Sequence, residues 1–280
     1  MINKHADGIR TGCQVTLVDC TTHGALGASF AWFRAEHGLD PHGSFDLVSQ
    51  PGGVHAMRAN EPARRNLRET LQLSVDLHSP EVIVFADHPH CPHGRYSAQD
   101  RTREYEYAKC MVQDWFPKAN LLRYFVADTV HRKVASGNNM VWGCMDWRNS
   151  RMFEDFFNEG CDIFTAAGDF DRLANSASPE DQVQHIRYAT DSVDAQKPGT
   201  VTLLGHLGCG WRGQKYGITD TTSESDQRNL LLETGLQVIE RLRPHLPHHR
   251  FELACSLTRG HALSSGIEIL LERDPMVPLP

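Results

Sequence analysis

The sequence predicts an α/β fold built from two tandem repeats, each a mainly parallel sheet flanked by helices. Three observations carry that expectation. Apolar segments of strand length recur with little polar alternation, which marks strands covered on both faces. Segments of helical character lie between them, as parallel strands need long crossover connections. The order of these segments also runs twice along the chain.

In the first half the strands read CQVTLVDC (13–20), FDLVSQPGG (45–53) and EVIVFADHPHC (81–91). In the second half they read MVWGCMDWR (140–148), CDIFTAAGD (161–169) and GTVTLLGHLGC (199–209). Each time an apolar strand ends in Cys, the next ends near Gly, and the third runs into His-x-x-Cys. Cys20 corresponds to Cys144 at an offset of 124 residues, and His88 and Cys91 to His206 and Cys209 at 118. A short insertion or deletion between elements accounts for the difference. Helices are predicted over 63–79 and 178–196, before the third strands, and over 97–120 and 222–247, after them. The latter two open on Ser or Thr near acidic residues and stop around Pro. β-prone stretches then follow, LLRYFVADTV (121–130) and RFELACSLTR (250–259). The join falls in ASGNNM (135–140), which divides the chain into repeats of residues 1–136 and 137–280.

Composition narrows the function. With 280 residues, 40% of them hydrophobic and 22% charged, the chain can bury a sizeable core. The formal net charge of −7 speaks against a broad nucleic-acid-binding surface, which needs a basic excess. The opening MINKHADGIRTGCQ has no apolar core of a secretory signal, and no run approaches the roughly 18 apolar residues of a membrane span. A cytoplasmic protein is therefore expected, with reduced thiols and no membrane partner. Its eight cysteines then read as metal ligands, nucleophiles or buried thiols. Cys13, Cys110, Cys161 and Cys255 fall in apolar patterns and are expected to be buried thiols.

The chemistry concentrates in the second half. His206 and Cys209 stand at the end of one predicted strand, in a glycine-rich turn, and Cys144 ends another strand 62 residues earlier. Carboxyl ends of parallel strands share one edge of the sheet, so the three side chains can converge. Two thiolates and an imidazole suit zinc, and three protein ligands leave a fourth position for water. Asp146 and Arg148, two and four residues after Cys144, can reach the same crevice. A guanidinium keeps such a carboxylate ionised and oriented. Other cysteine chemistries fail on spacing. There is no Cys-x5-Arg of a cysteine phosphatase at Cys91, Cys144 or Cys209, and no Cys-x-x-Cys dithiol.

Taken in order, CMDWR (144–148) and GHLGCGW (205–211) resemble the Cys-x-Asp-x-Arg and His-x-x-Cys motifs of the β-class carbonic anhydrases. AAGD (166–169) is similar to the Asn-Ala-Gly segment that those enzymes carry between the two, without its Asn. The resemblance covers roughly residues 138–272. It implies zinc held by Cys144, His206 and Cys209, with Asp146 and Arg148 as the catalytic pair. The implied reaction is reversible hydration of carbon dioxide to bicarbonate. Hydrolysis of carbonyl sulfide or carbon disulfide, and a non-catalytic zinc scaffold or sensor, stand as alternatives.

The first half keeps Cys20, His88 and Cys91 as a second candidate metal site. CTTHG (20–24) puts Thr22 and Gly24 where Asp146 and Arg148 stand, so the catalytic pair is lost there. His23, His90 or His93 could complete a closed site, or the thiols could simply be packed. β-Carbonic anhydrases place their active sites at a dimer interface. The resemblance thus implies an intramolecular pseudo-dimer, in which the degenerate repeat lines the competent site. Association of such pseudo-dimers into homo-oligomers is left open. Trp147 and Trp211 flank the site, and Gln50, in the turn SQPGG (49–53), is a candidate to reach a substrate across the pseudo-dimer.

Overall fold

The computed structural model of the chain describes residues 15–20, 29, 45–59, 61–88, 98–125, 139–145, 161–166, 168, 170–171, 199–218, 221–256 and 267–273. The first half contributes strands β1 (Val15–Cys20), β2 (Phe45–Gln50), β3 (Val82–Asp87) and β4 (Asn120–Phe125). It also holds a 3-10 turn at Gly53–His55 and helices α1 (Ala56–Ala59), α2 (Glu61–His78) and α3 (Ala98–Trp115). The second half contributes β5 (Asn139–Cys144), β6 (Cys161–Ala166), β7 (Thr200–His206), β8 (Arg250–Ser256) and β9 (Ile267–Arg273). Its described helices are α4 (Gly210–Tyr216) and α5 (Glu224–Leu242). The helix expected over 178–196 lies outside the described residues.

The two sheets share one connectivity. Strand order is β2-β1-β3-β4 in the first and β6-β5-β7-β8-β9 in the second. Register agrees as well. Val15 pairs with Phe45 and Val82, and Asn139 pairs with Cys161 and Thr200. Val82 pairs with Asn120, and Thr200 with Arg250. All these pairings are parallel, as the predicted crossovers require. The second sheet departs from the sequence reading at β9, which adds an antiparallel edge strand beside β8.

Burial on both faces explains the continuous apolar strands. In β1, Leu17 and Val18 point to opposite faces and both are fully buried. Val18, Val48, Ile83 and Phe85 pack with Leu67 and Leu71 of α2 and Ala108 and Val112 of α3. In the second sheet Trp142, Leu203 and Leu253 pack with Leu231, Val238, Ile239 and Leu242 of α5. Those α5 positions recur at the helical period, and Gly235 among them lets the helix lie close on the sheet. A Cβ at Gly235 would stand 2.6 Å from the side chain of Leu253. Ser223 caps the start of α5 by accepting a hydrogen bond from the Asp226 amide.

A third core joins the halves. Val15, Leu17, Phe45, Leu47, Val84 and Ala86 pack in one cluster with Val141, Cys161, Ile163, Leu204 and Ala254. Polar bonds bind β2 to β6 across the same junction. The Ser49 amide donates to Thr165 Oγ1 at 2.7 Å, and the Thr165 hydroxyl donates to the Leu47 carbonyl at 2.6 Å. The Ser49 hydroxyl donates to the Ile163 carbonyl at 2.5 Å. The Leu47 amide in turn donates to the Met145 carbonyl at 3.1 Å.

Among the expected buried thiols, Cys161 and Cys255 are buried, whereas Cys110 is exposed. It sits on the outward side of α3, beside Lys109 and opposite the buried Ala108 and Val112. Cys13 lies outside the described residues. Among the described residues no helix is long and apolar enough to cross a membrane.

Thr165 gives a test of the junction. Thr165→Val keeps the shape but strips a buried donor and acceptor, leaving the Ser49 amide and the Leu47 carbonyl without this partner. The expected loss of folding stability is about 1–3 kcal/mol, read as a lower urea midpoint in equilibrium denaturation.

Candidate metal centre

Cys144 closes β5 and His206 closes β7, and the two strands are direct parallel neighbours. Their ends therefore meet at one edge. After β7 the chain turns through Leu207 and Gly208, and Gly208 takes φ 68°, a left-handed conformation that suits glycine. The Gly208 amide is held by Gln227 Oε1 of α5 at 2.8 Å. This reversal returns Cys209 to the strand ends, where it occupies the N-cap position of α4. One ligand-capable atom each from Cys144, His206 and Cys209 lies within 4.8 Å of the others. All three residues are only 2–3% exposed.

The two sulfurs stand 3.8 Å apart and both cysteines are free thiols. That is far beyond a disulfide. Two thiolates at about 2.3 Å from a tetrahedral zinc would be separated by about 3.8 Å. The donor set therefore fits zinc in spacing as well as in type. His206 Nδ1 donates to the Leu207 carbonyl at 3.0 Å, which makes Nε2 the candidate ligand atom. The hydrogen bond from Cys144 outweighs burial and, with the charges of His206 and Arg212, holds the Cys209 thiol well below its ordinary value of 9.0.

Two residues that the motifs did not single out stand directly behind these candidate ligands. Arg212 on α4 is 2% exposed, and its Nε donates to Asp171 Oδ2. Its Nη1 faces the His206 carbonyl at 3.5 Å, and its guanidinium lies over the Phe170 ring at 5.5 Å. Burial pushes the Asp171 carboxyl above its ordinary range, despite the attraction of Arg212. No sequence signal marks this pair, since an Arg in a helix ordinarily points to solvent. Its partner lies 41 residues away, and no motif spacing links them. Trp211 packs against the loop after β6, where a Cβ on Gly168 would stand 2.2 Å from its ring.

Both ligand turns also touch the first half. Met145, next to Cys144, and Trp211, two residues after Cys209, pack into the core formed by β1, β2, β3, α2 and α3. A Cβ on Gly210 would lie 3.0 Å from Leu77 of α2. Asp146, Trp147 and Arg148 lie outside the described residues.

In the first half Cys20 and His88 are buried at the ends of β1 and β3. Thr22, His23, Gly24, His90, Cys91 and His93 lie outside the described residues. Gln50 is buried, and its side-chain amide donates to the Gly53 carbonyl at 2.9 Å. Other polar groups crowd this edge. Burial pushes the Asp19 carboxyl up to about 7, against the pull of His88. Asp87 accepts from His55 Nε2 and from Arg123 Nη2, each at 2.6 Å. Burial alone would raise the Asp87 carboxyl, but these two partners outweigh it and hold it below the ordinary range.

Residues 10–136 match a family described as "Putative carbonic anhydrase". No curated protein matches the sequence. Among solved structures, the chain is similar to β-carbonic anhydrase isoform I from the protozoan Trichomonas vaginalis, at 13% identity and a TM-score of 0.33. That likeness covers 63% of this chain and 99% of the other.

The depressed Cys209 thiol predicts a pH effect in metal-free protein. Between its folded value and its unfolded value the unfolded chain binds the extra proton, so stability rises with pH across that window. The contribution is complete above the ordinary value of 9.0 and is lost as pH falls through the depressed one. Cys209→Ser should flatten this part of a denaturation-versus-pH curve. It should also remove a thiolate ultraviolet band that persists well below the ordinary thiol range.

Proposed function

We propose, from a first half that matches the family described as putative carbonic anhydrase and a second half that gathers Cys144, His206 and Cys209, that this chain is a zinc-dependent enzyme. It reversibly hydrates carbon dioxide to bicarbonate. The observation that carries the reading is the convergence of two buried thiols and an imidazole at neighbouring strand ends. Two thiolates offset the charge of one divalent cation, so a buried site of this composition is neutral when loaded. Zinc bound there would supply a Lewis acid that lowers the pKa of water to about 7.

The residues of the chain divide the remaining work. Cys144 and Cys209 hold the metal as thiolates, and His206 holds it through Nε2 with its Nδ1 proton fixed on Leu207. Asp146 accepts a hydrogen bond from the attacking water and orients its lone pair toward carbon, while the released proton passes to solvent buffer. Arg148 keeps that carboxylate ionised and in place. The division into repeats 1–136 and 137–280 makes an intramolecular pseudo-dimer, with the first repeat walling the site of the second. Packing of Met145 and Trp211 into the first-half core supports that reading. The first repeat acts as a partner rather than a second catalyst, because Thr22 and Gly24 replace the catalytic pair.

Metal analysis and stopped-flow carbon dioxide hydration test the proposal. About one zinc per chain is expected, falling to none in His206→Ala and Cys209→Ser. Asp146→Ala should retain zinc and lose about 10²-fold or more in hydration rate. Zinc-free wild-type protein would end the proposal. Zinc-loaded protein with background rates in both wild type and Asp146→Ala would leave a scaffold instead. Turnover of carbonyl sulfide or carbon disulfide without carbon dioxide hydration would reassign the substrate.

A further inference from the structure

The segment that carries Cys209 has little to hold it by itself. Helix α4 is seven residues long, too short to be stable alone, and its N-cap residue makes no side-chain capping bond. Its position must come from tertiary contacts, and the buried one that spans the site is Arg212. One guanidinium bridges three pieces of chain. It donates to Asp171 after β6, faces the His206 carbonyl at the end of β7, and rides on α4 itself, one turn beyond Cys209. Phe170 lies beneath its plane, and the space a Gly205 side chain would take lies 3.3 Å from Nη1. The planar fork of arginine suits such a bridge, whereas a lysine would bring a point charge on a flexible stem.

We propose that the buried Arg212–Asp171 pair is a positioning device that locks the His206–Cys209 turn in its metal-binding arrangement and thereby sets zinc affinity. The inference rests on the zinc reading and deepens it by adding two residues that the motifs leave out. The guanidinium bonds to Asp171 and to the carbonyl of His206, and it rides on the helix that Cys209 begins. Loosening Arg212 therefore frees the carbonyl of one ligand and the helix start of the other. Asp171 neutralises the buried cation, so that it can sit behind the ligands without an unpaired charge. Outer partners of this kind commonly change metal affinity about 10–100-fold when removed.

The test measures zinc dissociation constants by competition with a chromophoric chelator on purified full-length protein. Wild type is compared with Arg212→Met, Arg212→Lys and Asp171→Asn. Val238→Ala, a core substitution on α5 away from the turn, serves as a control for general destabilisation. Arg212→Met should bind zinc about 10–100-fold more weakly, with Arg212→Lys in between and Asp171→Asn also weakened. The charge-transfer band of the cobalt-substituted protein should shift in the Arg212 variants and stay unchanged in Val238→Ala. Wild-type affinity in Arg212→Met would overturn the proposal. If that variant does not fold, wild-type affinity in both Arg212→Lys and Asp171→Asn would do so. An equal loss in Val238→Ala, at a matched fall in melting temperature, would also overturn it. Wild-type protein that binds no zinc would defeat the functional reading itself, whereas unchanged variants of a zinc-binding wild type would defeat only this inference.

Discussion

The structure depends on one constraint: the carboxyl ends of β5 and β7 are brought to the same edge, and the residues that follow them are pinned by the other half of the chain. Parallel pairing supplies the first part, since neighbouring strands that run together must finish together. Packing supplies the second. Met145 and Trp211 follow the two cysteine positions closely, and both are built into the first-half core. The Met145 carbonyl is further tied to the Leu47 amide of β2. A candidate ligand set assembled from two strand ends and a seven-residue helix thus borrows its rigidity from the first half of the chain.

Much of the fold was legible because burial on both faces leaves an unambiguous trace. Strands such as VTLVDC and TVTLLGH carry apolar residues without alternation, and their duplication appears as fixed offsets that the strand register reproduces. Strand β9 was not legible. IEILLER follows no partner motif in the first half, and its place is decided by the free edge of β8. Cys110 was misread because α3 is apolar on average around it, while its own position falls on the outward stripe next to Lys109.

In the site, spacing announced the three ligand-capable residues because His-x-x-Cys and a strand-ending Cys are local patterns. Arg212 and Asp171 gave no such sign. Their pairing depends on where the turn after His206 places a short helix against the segment after β6, which is a property of three dimensions. The first-half edge illustrates the same point. His55, Asp87 and Arg123 form a bonded trio from a 3-10 turn, the last residue of β3 and the middle of β4, and no sequence window contains more than one of them.

The near-complete burial of Cys144, His206 and Cys209 has a consequence for how any ion comes and goes. With 2–3% of each side chain in contact with solvent, an ion cannot exchange by simple diffusion to an open mouth. An ion held there would exchange only when the corner between β7 and α4 opens, so that local unfolding would govern its release. Release would then be a slow clock on the breathing of that corner, with loading at the moment when the chain closes around the ion.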